Sequence, residues 1–234
     1  MLVPAMNNKE LKNEIFEDND ILWSSSTIKR LSDEYHRERF KLKIKKEEIY
    51  PRYYEVKTKT KNHWLIKISK HILVQKYQCI GDSEVLCFAY YYSSSGIRIF
   101  NTHVNGQIMV FNKHLFNRYN ERMNLAVPNL LDVVKVFFNT NINVNYQLMP
   151  REDGGIKFFG LVQQGFLMGE FIQELNWFEN KTFISKETAN RASNEFETDF
   201  LDKVLVSLYK IDQNKEPMKY YELMKIYRAL MVKE

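Results

Sequence analysis

Only two cysteines, Cys79 and Cys87, occur among 234 residues, and neither has a histidine beside it at a spacing typical of zinc ligands. This argues against a disulfide framework and a Cys/His metal centre. Both thiols are expected as small buried apolar side chains, and no metal or cofactor is expected. Long apolar runs are also missing. The longest, such as LCFAYYY and VVKVFF, fall far short of the roughly 20 residues needed to span a bilayer, so no membrane role is expected. The opening MLVPAMNNKELKNEIFEDND lacks a basic start followed by an apolar run, and a cytoplasmic location is the expectation. SSSG at 93–96 has neither the lysine nor the flanking glycines of a phosphate loop. Internal repeats and low-complexity segments are absent.

What is present suffices for a conventional core: 44% of residues are hydrophobic and 14% aromatic. The net charge of +5 is modest but unevenly placed. Residues 29–76 hold 15 Lys and Arg against 6 Asp and Glu, a net of +9, which leaves −4 for the rest of the chain. Such a stretch suits a polyanionic partner, RNA among them, or forms a solvated face balanced by acids elsewhere.

The pattern predicts an α+β fold: a curved antiparallel β-sheet with N-terminal, central and C-terminal helices. Residues 1–50 are expected as an N-terminal helical arm or outer layer, with helices over 7–17 and 27–48. Ile28, Leu31, Tyr35 and Leu42 supply a thin apolar stripe to the second. Residues 51–234 form the α+β domain. Strands are expected over 53–111, where YYEVKTKT and WLIKIS alternate apolar residues with lysine, and turns at 61–63, 81–84, 93–96 and 105–106. Helices follow over 112–141, with Pro128 in the first turn of the second, then strands over 144–184 and helices over 185–233. The two strand groups are expected to join in one sheet.

The segment FNKHLFNRYNERMN, 111–124, offers a chemical constellation. On a helical step of 100° per residue His114, Arg118, Glu121 and Arg122 fall at about 0°, 40°, 340° and 80°, opposite a packing face that includes Leu115, Phe116, Tyr119 and Met123. Asn112 is placed to cap that helix. An imidazole beside two guanidiniums suits metal-free cleavage of RNA through the ribose 2′-hydroxyl, with His114 as base and Arg118 and Arg122 stabilising a pentacovalent phosphate. The same face is also what any amphipathic helix presents to solvent, with Glu121 pairing a neighbouring arginine.

His-x-x-x-Arg-Tyr-x-x-Arg at 114–122, followed by a sheet that ends in KTFIS, resembles the toxin-like ribonucleases of the RelE and BrnT kind, over roughly residues 108–190. The resemblance implies a metal-independent endoribonuclease whose sheet and helix face cradle RNA without a cofactor. It also implies substrate contacts from Tyr119, Lys181, Thr182 and Ser185, and a neutralising antitoxin-like protein as partner. The alternative is a non-catalytic module that binds nucleic acid or protein through the basic surface of 29–76. A third reading, an interaction protein with no nucleic-acid role, is favoured if lysines 41–76 scatter over opposite faces.

Alternation in AYYYSSSG places Tyr90 and Tyr92 on one sheet face and Tyr91 on the other, so one exposed ring is able to stack on a base. His63, His71 and His103 are expected at strand ends or turns in structural or solvated roles, and His36 among the charges of the basic helix. Glu195, Glu197, Asp199 and Asp202 are expected on a solvated acidic surface.

Overall fold

The computed structural model describes residues 1–45, 50–70, 79–80, 83–103, 105–142, 144–151 and 153–191. The chain divides into two units, Met1–Ile184 and Ser185–Glu234. The first opens with α1 (Asn8–Ser24) and α2 (Ser26–Lys45), then β1 (Arg52–Lys57), β2 (His63–Lys70), the short β3 (Cys79–Ile80), β4 (Ser83–Ser93), β5 (Gly96–Thr102) and β6 (Ile108–Asn112). Next come α3 (Lys113–Arg122), α4 (Leu130–Thr140), β7 (Asn145–Pro150), β8 (Ile156–Val162), β9 (Gly165–Ile172) and β10 (Trp177–Ser185), whose last residue opens the second unit ahead of α5 (Lys186–Arg191). The remaining predicted C-terminal helices, the acidic cluster at 195–202, the side chain of Leu42, His71 and the 81–82 part of the predicted turn lie outside what the structure describes.

The fold is mixed α and β around one open sheet, ordered β1-β2-β4-β5-β6-β10-β9-β8-β7, with β3 added against β4. The predicted fully antiparallel sheet is corrected at one place: β6 and β10 run parallel, with Ile108 opposite Trp177 and Phe111 opposite Asn180. Parallel neighbours need a crossover rather than a hairpin. Here the excursion through α3, α4 and β7–β9 supplies it, returning β10 to the open edge of β6.

Both faces of the sheet are covered. Trp64, Ile66, Ile68, Val85, Ala89, Tyr91, Phe100, Val110 and Trp177 form one core with Leu11, Ile15 and Leu22 of α1 and Ile28, Leu31 and Tyr35 of α2. The N-terminal helices thus form an outer layer on the sheet. Their start is fixed by Asn7, whose side chain accepts from the backbone of Lys9 and Glu10 while Glu10 returns a bond to the Asn7 amide. The opposite face packs Leu65, Phe88, Tyr90, Ile99, Phe111 and Phe183 against Leu115, Phe116 and Tyr119 of α3 and Val134, Phe137 and Phe138 of α4. Asn112 caps α3 through its bond from the Leu115 amide, 3.1 Å. Asn129, the residue after Pro128, caps α4, so Pro128 lies before the helix and not in its first turn. A proline there stops the preceding chain from running into α4.

Two-sided cover explains β2, in which Trp64 through Ser69 are all buried. Lys67 lies among them, 2% exposed, and its ammonium donates to the Phe138 carbonyl in the last turn of α4, 2.9 Å. Cys87 is buried as a free thiol, pushed up by that burial. Among the described residues no helix is long and apolar enough to cross a membrane, and no cluster of His, Cys, Asp and Glu is arranged to hold a metal ion.

Candidate nucleic-acid interface

The residues singled out around α3 have separate surroundings. His114 is exposed on the first turn. Arg118 pairs with Glu121 one turn on, 3.0 Å. Arg122 reaches across to donate to the Phe183 carbonyl of β10, which ties helix to sheet. Tyr119 is fully buried between Phe137 and Phe183, and its hydroxyl donates to Gln164, 2.7 Å. Gln164 also receives the Asn141 amide, 2.9 Å, and burial raises the phenol's pKa.

Lys181 is exposed and pairs with Glu170, 2.7 Å. On β9, Leu167 and Phe171 turn towards α3 and α4, whereas Ile172 packs in the α1/α2 core. Glu170, in register with Ile172, therefore points away from α3, and Lys181 with it. Thr182 is half-buried in β10. Ser185 lies in the second unit, where its hydroxyl accepts from the Thr188 amide, 3.1 Å. Helix and strand thus bring Tyr119 and Arg122 to Phe183, while His114 and Lys181 stand on different sides of the sheet.

The basic stretch is likewise divided in space. On the α2 side Arg52 binds Glu38 at 3.0 Å and Arg30 lies 3.8 Å from Glu34. Lys29, Arg30 and Arg37, with Ser26 and Asp33, line a recess of about 490 Å³. On the α4 side Lys67 is buried, whereas Lys57 and the turn lysines Lys59 and Lys61 are exposed.

A better-defined surface lies at that turn. Cross-strand pairing sets Lys57 opposite His63 and His63 opposite Tyr90, so the three share the face that looks towards α4. The His63 and Tyr90 rings lie 5.6 Å apart, and Tyr90 meets Tyr92 edge to face at 6.0 Å. Tyr90 is buried, but Tyr92 is 59% exposed. Glu55 stands on the same face and pairs with Lys135 of α4, 3.3 Å, which also holds Asp132, 3.1 Å. Burial, then the charge and hydrogen bond of Glu55, push the Tyr90 hydroxyl up to about 12. Tyr92 is raised too, by partial burial and Glu55. Burial pulls Lys135 down, but its two carboxylate partners outweigh it and hold the ammonium above its usual value.

The turn is braced from below. Asp18 of α1, 1% exposed, accepts from the Thr58 hydroxyl at 3.0 Å, the Trp64 indole at 2.6 Å and the Thr60 hydroxyl. Asn62 donates to Glu14 at 2.9 Å and accepts from the Leu2 amide at 2.6 Å. A buried carboxylate with three donors fixes its neighbours because any departure leaves it unpaired in a low-dielectric interior. The lysines of this turn therefore project from a held backbone.

Alternation in AYYY was sufficient to put Tyr92 on a face with Tyr90. His63 was missed as part of a row because its neighbours depend on the registers of three strands. Comparison with protein-family models, with curated proteins and with solved structures gave no match for this chain.

Proposed function

We propose that the protein binds single-stranded RNA on the surface formed by Lys57, Lys59, Lys61, His63 and Tyr92. The observation that carries this reading is the exposed Tyr92 ring on the same face as the exposed Lys57–His63 row. Aromatic rings accept bases of any sequence by stacking, and neighbouring cations follow the phosphates. The reading is of binding without cleavage. His114 has the exposure a general base needs, but Arg118 is engaged by Glu121 and Arg122 by the Phe183 carbonyl, so the two cations expected to stabilise a phosphate are already held within the fold.

The test is fluorescence anisotropy of the full chain with a labelled mixed-sequence RNA between 50 and 200 mM salt in excess EDTA, with the RNA then run on a gel. Neutralising about three phosphates on a single strand gives a log–log salt slope of about −2. Tyr92→Ala is expected to weaken binding by about 1–3 kcal/mol, and a Lys57→Gln, Lys59→Gln, Lys61→Gln variant to flatten the slope. Absence of binding at low salt, or an unchanged affinity in Tyr92→Ala, refutes the proposal. Salt-sensitive capture of an acidic peptide with RNA ignored points to a protein partner. Cleavage leaving 2′,3′-cyclic phosphate ends, and lost in His114→Ala, supports the endoribonuclease reading instead.

A further inference from the structure

We infer that β7 is a self-association edge, on which a second copy of this chain pairs its own β7 antiparallel and continues the sheet across a two-fold axis. Among the described strands β1 and β7 end the sheet, and an edge strand presents a row of unpaired backbone donors and acceptors on which another strand can add. The two edges share one alternation of exposed and half-buried positions. Their chemistry differs. The exposed residues of β1 are Arg52, Glu55 and Lys57, charges of the kind that keep an edge single, whereas those of β7 are Asn145, Leu148 and Pro150. No Asp, Glu, Lys or Arg occurs anywhere from 136 to 150.

This neutrality selects the occupant. Pairing with its own copy sets a strand's side chains against themselves, so a charge near the axis would meet its like, and β7 has none to repel. An antiparallel pair keeps the sheet faces matched only if opposed residues share the same parity. Leu148, 43% exposed, meets this condition on the axis, opposite its own copy, with Tyr146 opposite Pro150 of the other copy on the same face. Pro150, which has no N–H, ends the ladder there. The strand is already held in place: the Tyr146 hydroxyl donates to Met109 Sδ at 2.8 Å, and its ring lies 5.3 Å from Phe158 and 4.7 Å from Phe178. Pairing therefore does not first have to order it. Both copies of β7 are used up and the charged β1 edges remain outward, so assembly stops at a dimer. A single strand edge is a small interface, and the dimer is a weak one. Lys57, His63 and Tyr92 belong to β1, β2 and β4 towards the other end of the strand order, so the inference does not rest on the RNA-binding reading.

The test is sedimentation velocity of the full chain from about 1 to 200 µM, on the parent and on Leu148→Lys and Leu148→Glu, both checked for unchanged thermal unfolding. The parent is expected to pass from monomer to dimer over this range and no further. Each charged variant alone should weaken the dimer by at least about 10-fold, because like charges then meet on the axis. An equimolar mixture of the two variants should dimerise again, since opposite charges then face one another. A parent that stays monomeric, assembly beyond a dimer, or a dimer unchanged in either variant overturns the inference. So does a mixture no more associated than its components. Amide hydrogen exchange of the parent at low and high concentration needs no variant: slower exchange centred on β7 is expected, and protection that falls elsewhere overturns the pairing.

Discussion

Replacing Lys67 with methionine should make the protein more stable at neutral pH and less stable than the parent at high pH. The ammonium is 2% exposed and has one hydrogen bond, to the Phe138 carbonyl at 2.9 Å. Burial lowers its pKa from an ordinary 10.5 to about 8, against an opposing pull from Glu84. At about 1.4 kcal/mol per pH unit, the folded state disfavours the charged form by about 3 kcal/mol. Between pH 8 and 10.5 the unfolded chain holds this proton and the folded chain does not, so unfolding takes up a proton and stability rises with pH across that window. The contribution is complete above 10.5 and is lost as pH falls through 8. Methionine keeps the unbranched stem and removes the charge, but it leaves a helix-end carbonyl without its donor, at a cost of about 1–2 kcal/mol. The net expectation at pH 7 is a gain of about 1–2 kcal/mol, reversing to a loss of similar size near pH 10. Urea unfolding of both proteins, followed by circular dichroism at four pH values from 7 to 10, measures the difference and cancels the titration of other groups. A difference that stays flat with pH, or a variant destabilised by more than about 1 kcal/mol at pH 7, would refute the reasoning.

Other perturbations test the remaining contacts. Asp18→Ala leaves the Trp64 indole and two threonine hydroxyls without their acceptor and should cost about 3 kcal/mol in urea unfolding. The same variant should weaken RNA binding at temperatures well below its unfolding, because the lysine turn loses its brace. Phe183→Ala, which opens a cavity between Tyr119 and Phe137, should cost about 3–5 kcal/mol. Tyr119→Phe, which removes only the bond to Gln164, should cost about 1 kcal/mol by the same measurement. If Tyr119→Phe proves as damaging as Phe183→Ala, the hydroxyl network and not the ring packing holds α3 in place.

Where a stretch of chain meets one environment, its sequence was readable. Ile28, Leu31 and Tyr35 recur at helical spacing and all bury against the sheet, and Asn112 caps α3 as its chemistry suggests. Strand β2 shows the opposite case. WLIKIS alternates with lysine, and alternation alone points to a polar outer face. In the structure α4 covers that face, so the lysine is taken inside and its charge satisfied at a helix terminus. The parallel β6–β10 pair was illegible for a related reason: no local pattern records which open edge a strand joins after two helices and three strands.

The candidate surface follows the same division. Tyr92 could be assigned to a face because parity is a property of one strand, whereas Lys57, His63 and Tyr90 became neighbours only through two registers. The run of positive charge at 29–76 is continuous along the chain but not in space. Arg52 turns to Glu38 on the α2 side, Lys67 turns inward to α4, and Lys57, Lys59 and Lys61 remain for an external anion at the hairpin. Charge counted along a sequence overstates the field at any one surface, since alternate residues of a strand face opposite layers. A polyanion would meet three lysines and a tyrosine here, not the whole surplus. That is why the salt slope, which counts cations at the contact, discriminates this surface from a diffuse attraction to the entire basic stretch.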